Sequence, residues 1–257
     1  MDFPMKRLLP ILLALILTGT AMSSLQGAAR PHKTRQAVLT PTEMRFGDTV
    51  RTGIPFAKDP TVIRKGGRYY MYYSIPAYSP DRKPEQTAPL QDGWNAGIAR
   101  SKDLIHWERV GDLDLRDTHG QRIWGAIAPC VKRFGGKIHL FYQRYWDGAG
   151  NNNIWHAVSK DGITFTNTSD VPVFVMDAPW ALNRAIDAEV YRVKDRLILL
   201  FATRDPEGKV QMLGMAHAPY RSDYGPDKWV LDSITDSTFK LCFISGTKVH
   251  IFCETKM

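Results

Sequence analysis

A pattern that recurs three times along the chain limits most strongly what it can fold into. The three stretches read DPTVIRKGGRYYMYYS at 59–74, APCVKRFGGKIHLFYQ at 128–143 and DAEVYRVKDRLILLFA at 187–202. Each has a short lead, a strand-like segment with Val and basic residues, a turn of two or three residues, and a second apolar or aromatic segment. Internal repeats of this kind indicate an architecture built from one recurring supersecondary unit.

The turns and the segments that follow them support a unit of four strands. Gly66-Gly67 and Gly135-Gly136 permit the positive φ of a tight hairpin, and Lys194-Asp195 takes their place less well in the third copy. After each hairpin we predict a third strand, a turn and a fourth strand with an aromatic residue. Those aromatic residues are Trp107, Phe165 and Trp229, and we interpret Trp107 and Trp229 as blade core.

Repeated four-stranded antiparallel units predict an all-β chain folded as a β-propeller. The first strand of each blade then lines the central axis, and its leading end opens onto the face where substrates meet the ring. A β-sandwich does not predict a repeat of this length. About three and a half blades fit between residues 54 and 257, so we predict an incomplete propeller domain there. We expect a C-terminal truncation or an out-of-frame tail in the coding sequence, with completion by a partner chain as the less favoured interpretation.

The N-terminus has the pattern of an export signal. Lys6 and Arg7 precede the apolar run LLPILLALIL, and small residues follow, with plausible cleavage after Ala21 or Ala29. The run is too short to span a bilayer as a helix. We predict a signal peptide at 1–29, an extension at 30–53, a secreted or periplasmic protein, and no membrane association after cleavage.

The distribution of charge does not favour nucleic acid as a partner, and the cysteines leave disulfide pairing open. The formal net charge of +8 is scattered rather than clustered, which favours a solvated surface over nucleic-acid binding. Cys130 lies in a predicted strand as a buried thiol, whereas Cys242 and Cys253 could pair. We expect no cofactor, although a structural metal ion on the axis is left open, and oligomeric state is not predicted.

Four motifs in order resemble a known family. They are DPTVIR with YYMYYS at 59–74, ARSKDLIHW at 99–107, AIAP at 126–129 and AID at 185–187. This set resembles the five-bladed propeller glycoside hydrolases of family 43 and related families such as family 117. The resemblance spans about residues 54–233. It implies a glycosidase that hydrolyses O-glycosyl bonds in an oligosaccharide or polysaccharide.

The resemblance also implies roles for two carboxylates. Family members invert the anomeric carbon with a general base, a carboxylate that tunes the acid, and an acid from a Glu that opens the fourth blade. Carried over to this sequence, the resemblance makes Asp59 the general base and Asp187 the carboxylate that tunes the acid. Ala128 occupies the equivalent position of the second blade and has no carboxylate. An inverting acid and base lie roughly 6.5–9.5 Å apart, so that a water fits between them. No residue matches the expected acid. The only Glu after Asp232 is Glu254, and its sequence context is that of a strand end and not of a blade entry.

Further candidates for substrate binding lie near the predicted leading ends. We predict that Trp94, Asn95, Trp124, Glu189 and Arg204 contact substrate. Aromatic faces can pack on sugar rings, and Glu189 shares a strand face with Asp187 because it lies two residues further on. The sequence Arg204-Asp205-Pro206 resembles an invertase motif but falls in a predicted loop. His156 and His217 are interpreted as structural.

Three functional hypotheses remain open from the sequence. The first is an exported glycoside hydrolase that cleaves plant or algal polysaccharide fragments with inversion. The second is a carbohydrate-binding propeller, or a fragment, without turnover. The third is an invertase-like fructosidase, in which Asp59 would be a nucleophile. An acid catalyst from a fourth blade would favour the first.

Overall fold

The computed structural model describes residues 46–82, 93–145 and 153–232, which belong to one compact unit. These residues form antiparallel sheets and one short 3₁₀ helix, Pro80–Arg82. None of the described helical structure is long and apolar enough to span a membrane. The predicted signal peptide, most of the extension, and both Cys242 and Cys253 lie outside the described residues.

Two of the three sheets have four strands each, in sequence order. The first contains β1 (Lys58–Lys65), β2 (Arg68–Ile75), β3 (Asn95–Ser101) and β4 (Trp107–Asp112). The third contains β11 (Ile186–Val193), β12 (Arg196–Arg204), β13 (Gln211–Pro219) and β14 (Val230–Leu231). Neighbouring strands pair antiparallel throughout both sheets. The predicted four-stranded unit is therefore confirmed for these two blades.

The second sheet has six strands and corrects the prediction of four. Its core is β7 (Ala126–Phe134), β8 (Lys137–Arg144), β9 (Ile154–Ser159) and β10 (Thr164–Asn167). Two short strands, β5 (Asp114–Arg116) and β6 (Arg122–Ile123), extend it beyond β10. β5 pairs parallel with β10 immediately after the first blade ends, and so it covers an edge that would otherwise expose unpaired backbone groups. Such short segments carry no pattern that predicts a strand.

The hairpin turns adopt the backbone that their sequences indicate. Gly66 and Gly67 have φ of 56° and 75°, and Gly135 and Gly136 have 57° and 75°. Two consecutive positive φ angles match the right-handed twist of the flanking strands. In the third hairpin Lys194 has a φ of 54°. The two-residue turn is therefore kept there, but with one left-handed residue instead of two.

The repeat extends to a backbone feature that the sequence does not show. Asp59, Ala128 and Asp187 have φ of 53°, 46° and 53°. The hairpin register shifts at the same place in each blade, between Lys58 and Thr61 in the first. A bulge with a left-handed residue thus opens the first strand of every described blade. Asp adopts this backbone more readily than Ala, so Ala128 carries local strain.

The blades pack face to face through their first strands and two apolar clusters. β7 lies between β1 and β11 and contacts both. The cluster shared by the first two blades includes Ile63, Tyr72 and Leu140, and that of the second and third includes Phe141 and Phe201. Cys130 is free and 1% exposed, which confirms the predicted buried thiol in a strand. This arrangement brings the leading ends of β1, β7 and β11 together.

Candidate active site

The two predicted catalytic residues occupy equivalent positions in different blades. Asp59 follows the first residue of β1 and Asp187 follows the first residue of β11, each in the left-handed bulge described above. Their carboxylates are close enough for the charge of Asp59 to act on Asp187. The fold therefore brings together two residues that are far apart in sequence. Their catalytic roles stay predictions.

Asp59 is held by a hydrogen-bond relay that crosses between blades. Ser74 Oγ donates to Asp59 Oδ2 at 2.9 Å, and the backbone N–H of Ala128 donates to the same Ser74 oxygen at 2.8 Å. Lys58 Nζ lies 3.2 Å from Asp59 Oδ2. These are partners suited to an ionised carboxylate. Ser74 is fully buried, so the relay fixes the orientation of Asp59 from inside the protein.

Asp187 has a different environment at the same position of its blade. Ala202 stands where Ser74 stands in the first blade, because Ile186 pairs with Ala202 as Lys58 pairs with Ser74. The Asp187 side chain reaches solvent, yet desolvation by the surrounding protein raises the pKa of its carboxyl. The charge of Asp59 raises this pKa further, while Lys58 and Arg184 oppose the rise. The pKa of the Asp187 carboxyl is thus raised by burial and by the charge of its counterpart in the first blade.

Basic side chains that the sequence analysis did not single out complete this region. Lys58 pairs with Asp59, and Arg184 acts electrostatically on Asp187. Arg204, predicted to contact substrate, lies at the end of β12 and acts electrostatically on Arg184. For Lys58 and Arg184, the only indication in the sequence is their nearness to the aspartates. Lys58 immediately precedes Asp59, and Arg184 lies three residues before Asp187. Lysine and arginine are too common on protein surfaces for that signal to be specific.

Trp94 lies among aromatic side chains beside Lys58. Its ring contacts Phe56 edge-on at a centroid distance of 5.6 Å and Tyr145 at 6.2 Å. Lys58 Nζ lies 5.8 Å from the Trp94 ring centre. Trp94 is only partly buried, and Tyr145 is exposed. An aromatic surface is therefore available close to Asp59, in line with the predicted contact between Trp94 and a sugar.

The remaining predicted contacts are less accessible or already paired. Asn95 is fully buried, and its Nδ2 donates to the Leu113 carbonyl at 3.0 Å. Trp124 is 3% exposed and packs against the guanidinium of Arg122, 4.5 Å from its ring centre. Glu189 forms an ion pair with Lys132 of the second blade. Burial and pairing do not favour direct substrate contact by these three, which stays a prediction.

The two recurring histidines have structural partners. His156 is buried and contacts His139 and Thr168, and His217 Nδ1 lies 2.8 Å from Asp232 Oδ1. Within the described residues no group of three or more His, Cys, Asp or Glu is arranged to hold a metal ion. The predicted general acid would come from a fourth blade, and that part, with Glu254, lies outside the described residues.

Two solved structures with a similar fold are a family 117 and a family 32 glycoside hydrolase. A family 117 glycoside hydrolase from the marine bacterium Zobellia galactanivorans is 19% identical with a TM-score of 0.51, and the match covers 70% of this chain and 56% of that one. A variant of the family 32 beta-fructofuranosidase of Bombyx mori, in complex with sucrose, is 14% identical with a TM-score of 0.51 over 79% and 42%. These likenesses show the fold, a β-propeller. The chain spans about half the length of these proteins.

A comparison with curated proteins gives no match. The profile of glycosyl hydrolases family 43 matches residues 53–242. This range contains all three described blades, both predicted catalytic aspartates and the basic residues beside them. The order of the four motifs, the propeller fold and the paired leading ends agree with that match. The chain belongs to glycosyl hydrolases family 43.

Proposed function

We propose that the protein is an exported glycoside hydrolase that cleaves plant or algal polysaccharide fragments by inverting attack of water at the anomeric carbon. The observation that supports this most is the pairing of Asp59 and Asp187 at equivalent, bulged leading ends of two blades. Family membership supports hydrolysis of a glycosidic bond as the reaction. The signal pattern at 1–29 supports export.

The two environments suit two different tasks. Asp59 accepts a hydrogen bond from Ser74 and lies beside Lys58, so its carboxylate is oriented to take a proton from the attacking water. Asp187, whose pKa is raised, is suited to tune and orient an acid rather than to act as a base.

The proposed mechanism also requires a general acid. Protonation of the leaving oxygen requires a carboxyl group kept protonated near neutral pH. We assign this role to a residue outside the described part of the chain. Without such a residue the protein would bind glycans without cleaving them, so the hydrolysis assay below also decides between these alternatives.

The experiment combines substrate screening with stereochemistry. The full chain is incubated with aryl arabinofuranoside, aryl xyloside and agar-derived oligosaccharides, and the first-formed anomer is followed by proton NMR. We expect hydrolysis of at least one substrate, with a product of inverted configuration. Retained configuration would contradict the role of Asp59 as a base and favour an invertase-like nucleophile. Absence of hydrolysis on all three would contradict the activity on these substrates.

A further inference from the structure

Two arginines, Arg184 and Arg204, interact electrostatically at the end of the third blade where Asp187 lies. The backbone N–H of Leu182 donates to the carbonyl of Arg204 at 2.9 Å, which brings the segment before β11 against the end of β12. Arg184 lies in that segment, two residues beyond Leu182, and Arg204 ends β12. Both guanidinium groups are therefore at the same end of the blade as the Asp187 carboxyl, and Arg184 interacts electrostatically with Asp187.

Their hydrogen-bonding capacity is largely unused within the described part of the chain. Arg184 Nε is buried, and it has no hydrogen-bond partner there. Arg204 Nε has a single contact of 3.4 Å with Gln211 Oε1, which is longer than a normal N–H to oxygen hydrogen bond. A guanidinium presents five donors in a planar fork. These two side chains therefore keep most of their donors for a further acceptor.

The charge balance at this end also favours an anion. Two like charges placed together in a partly desolvated region repel each other. Desolvation and the charge of Arg204 both lower the pKa of Arg184, which shows that the cation is held in an unfavourable place. Asp187 offsets only part of this, because its own pKa is raised and it gives up negative charge more readily. A bound oxyanion would reduce the repulsion between the two guanidinium groups and accept hydrogen bonds from their unpaired N–H donors.

We propose that Arg184 and Arg204 bind an anionic substituent on the sugar that lies beside Asp187, so that the substrate is an acidic glycan. This rests on the proposed function and specifies its substrate class. Arginine binds carboxylate and sulfate-like oxyanions through paired hydrogen bonds that a neutral hydroxyl cannot match. The oxyanion can belong to a uronic acid or to a sulfate ester, and both present the same chemistry to the two guanidinium groups.

The test measures binding rather than turnover. Three probes differ only at carbon 6, namely D-galacturonate, D-galactose 6-sulfate and D-galactose. Dissociation constants are measured by NMR titration on the full chain and on Arg184→Gln and Arg204→Gln. Arg196→Gln is the matched control, because Arg196 is an exposed arginine at the opposite end of β12. Circular dichroism verifies that each variant is folded.

We expect at least one acidic sugar to bind about tenfold more tightly than galactose, a difference of about 1.4 kcal/mol. The preference should disappear in Arg204→Gln and Arg184→Gln, persist in Arg196→Gln, and weaken as salt is added. The acidic sugar with the lower dissociation constant identifies the source of the oxyanion. Should Arg184→Gln not fold, Arg204→Gln alone carries the test.

Equal binding of all three sugars, binding of none, or a preference that survives in both variants would overturn the inference. These outcomes are distinguishable from failure of the proposed function. Selective binding of an acidic sugar without any hydrolysis leaves the inference standing and removes the activity. Hydrolysis of neutral glycosides without any preference for acidic sugars supports the proposed function and overturns the inference.

Discussion

Ser74 Oγ donates a hydrogen bond of 2.9 Å to Asp59 Oδ2 and so connects the candidate base to the buried interior. The same oxygen accepts the backbone N–H of Ala128 from the next blade. One hydroxyl thereby joins the leading ends of two blades, which is a structural role and a positioning role at once. The two roles can be separated experimentally.

We expect Ser74→Ala to lower kcat about 10- to 100-fold with little change in KM. Losing a hydrogen bond to a charged group corresponds to roughly 1.5–3 kcal/mol, and each 1.36 kcal/mol is a tenfold change in rate. Steady-state kinetics measures this, and Ser74→Thr should restore part of kcat because it keeps the hydroxyl.

Ser159→Ala is the matched control for Ser74→Ala. Ser159 is also buried, and its Oγ accepts from Gly162 N and donates to Asp161, in a turn of the second blade. The control should lose stability but keep kcat. An equal loss of kcat in both variants would contradict the positioning role of Ser74.

A buried histidine pair predicts loss of stability in acid. His139 Nε2 donates to the Phe134 carbonyl, so its Nδ1 accepts from His156 Nε2, and His156 Nδ1 accepts from Thr168. Burial lowers the pKa of His139 to about 4, and burial together with the charge that His139 carries when protonated lowers that of His156 to about 3. Both rings are therefore neutral at neutral pH.

The unfolded chain binds protons on these rings near pH 6.5, whereas the folded protein does not. Stability is thus fully present above about pH 6.5 and falls as the pH drops toward the folded pKa values. Between pH 7.5 and pH 4.5 we expect each histidine to reduce the free energy of unfolding by an amount of order 2 kcal/mol.

Urea unfolding at pH 7.5 and pH 4.5 tests the effect of the histidine pair. His156→Gln should be less sensitive to acid than the natural chain. His119→Gln changes an exposed histidine and should keep the full pH dependence. An identical pH dependence in the natural chain and His156→Gln would contradict this account.

A buried arginine ties the segment before β1 to the first blade. Arg51 is 2% exposed and pairs with Asp112 at 2.8 Å, and it donates to the carbonyls of Pro76 and Gly93. Arg51→Ala removes this ion pair and both hydrogen bonds to carbonyls, while Arg109 still pairs with Asp112. Hydrogen bonds that involve a charged group contribute roughly 1.5–3 kcal/mol each, so we expect Arg51→Ala to lower the free energy of unfolding by about 3 kcal/mol.

Chemical denaturation measures the effect of Arg51→Ala. Arg100→Ala is its control, because Arg100 pairs with Glu108 on the exposed surface of the same blade and its loss should change stability little. A loss in Arg51→Ala as small as that in Arg100→Ala would show that residues 46–53, predicted to belong to an extension, do not depend on this ion pair for their contact with the blade.

The repeat predicted the hairpins because tight turns and aromatic strands leave local signals, such as Gly66-Gly67 and the run around Tyr72. Local sequence did not predict β5, since three residues become a strand only when the edge of β10 is available. The pairing of Asp59 with Asp187 followed from aligning the repeats. The alignment of the repeats did not predict the importance of Arg184 or Ser74, because it depends on contacts between segments that are distant in sequence.

Turnover by Asp59→Asn tests the central claim most directly. Asn tolerates the left-handed backbone at this position and keeps a hydrogen-bonding oxygen for Ser74, so the variant should fold. Asp195→Asn, in the exposed third hairpin turn, is the matched control. On the best substrate of the screen, we expect Asp59→Asn to be about 10²- to 10⁴-fold slower, as for loss of a general base, and Asp195→Asn to match the natural chain. Unchanged turnover in Asp59→Asn would contradict the assignment of Asp59 as the base.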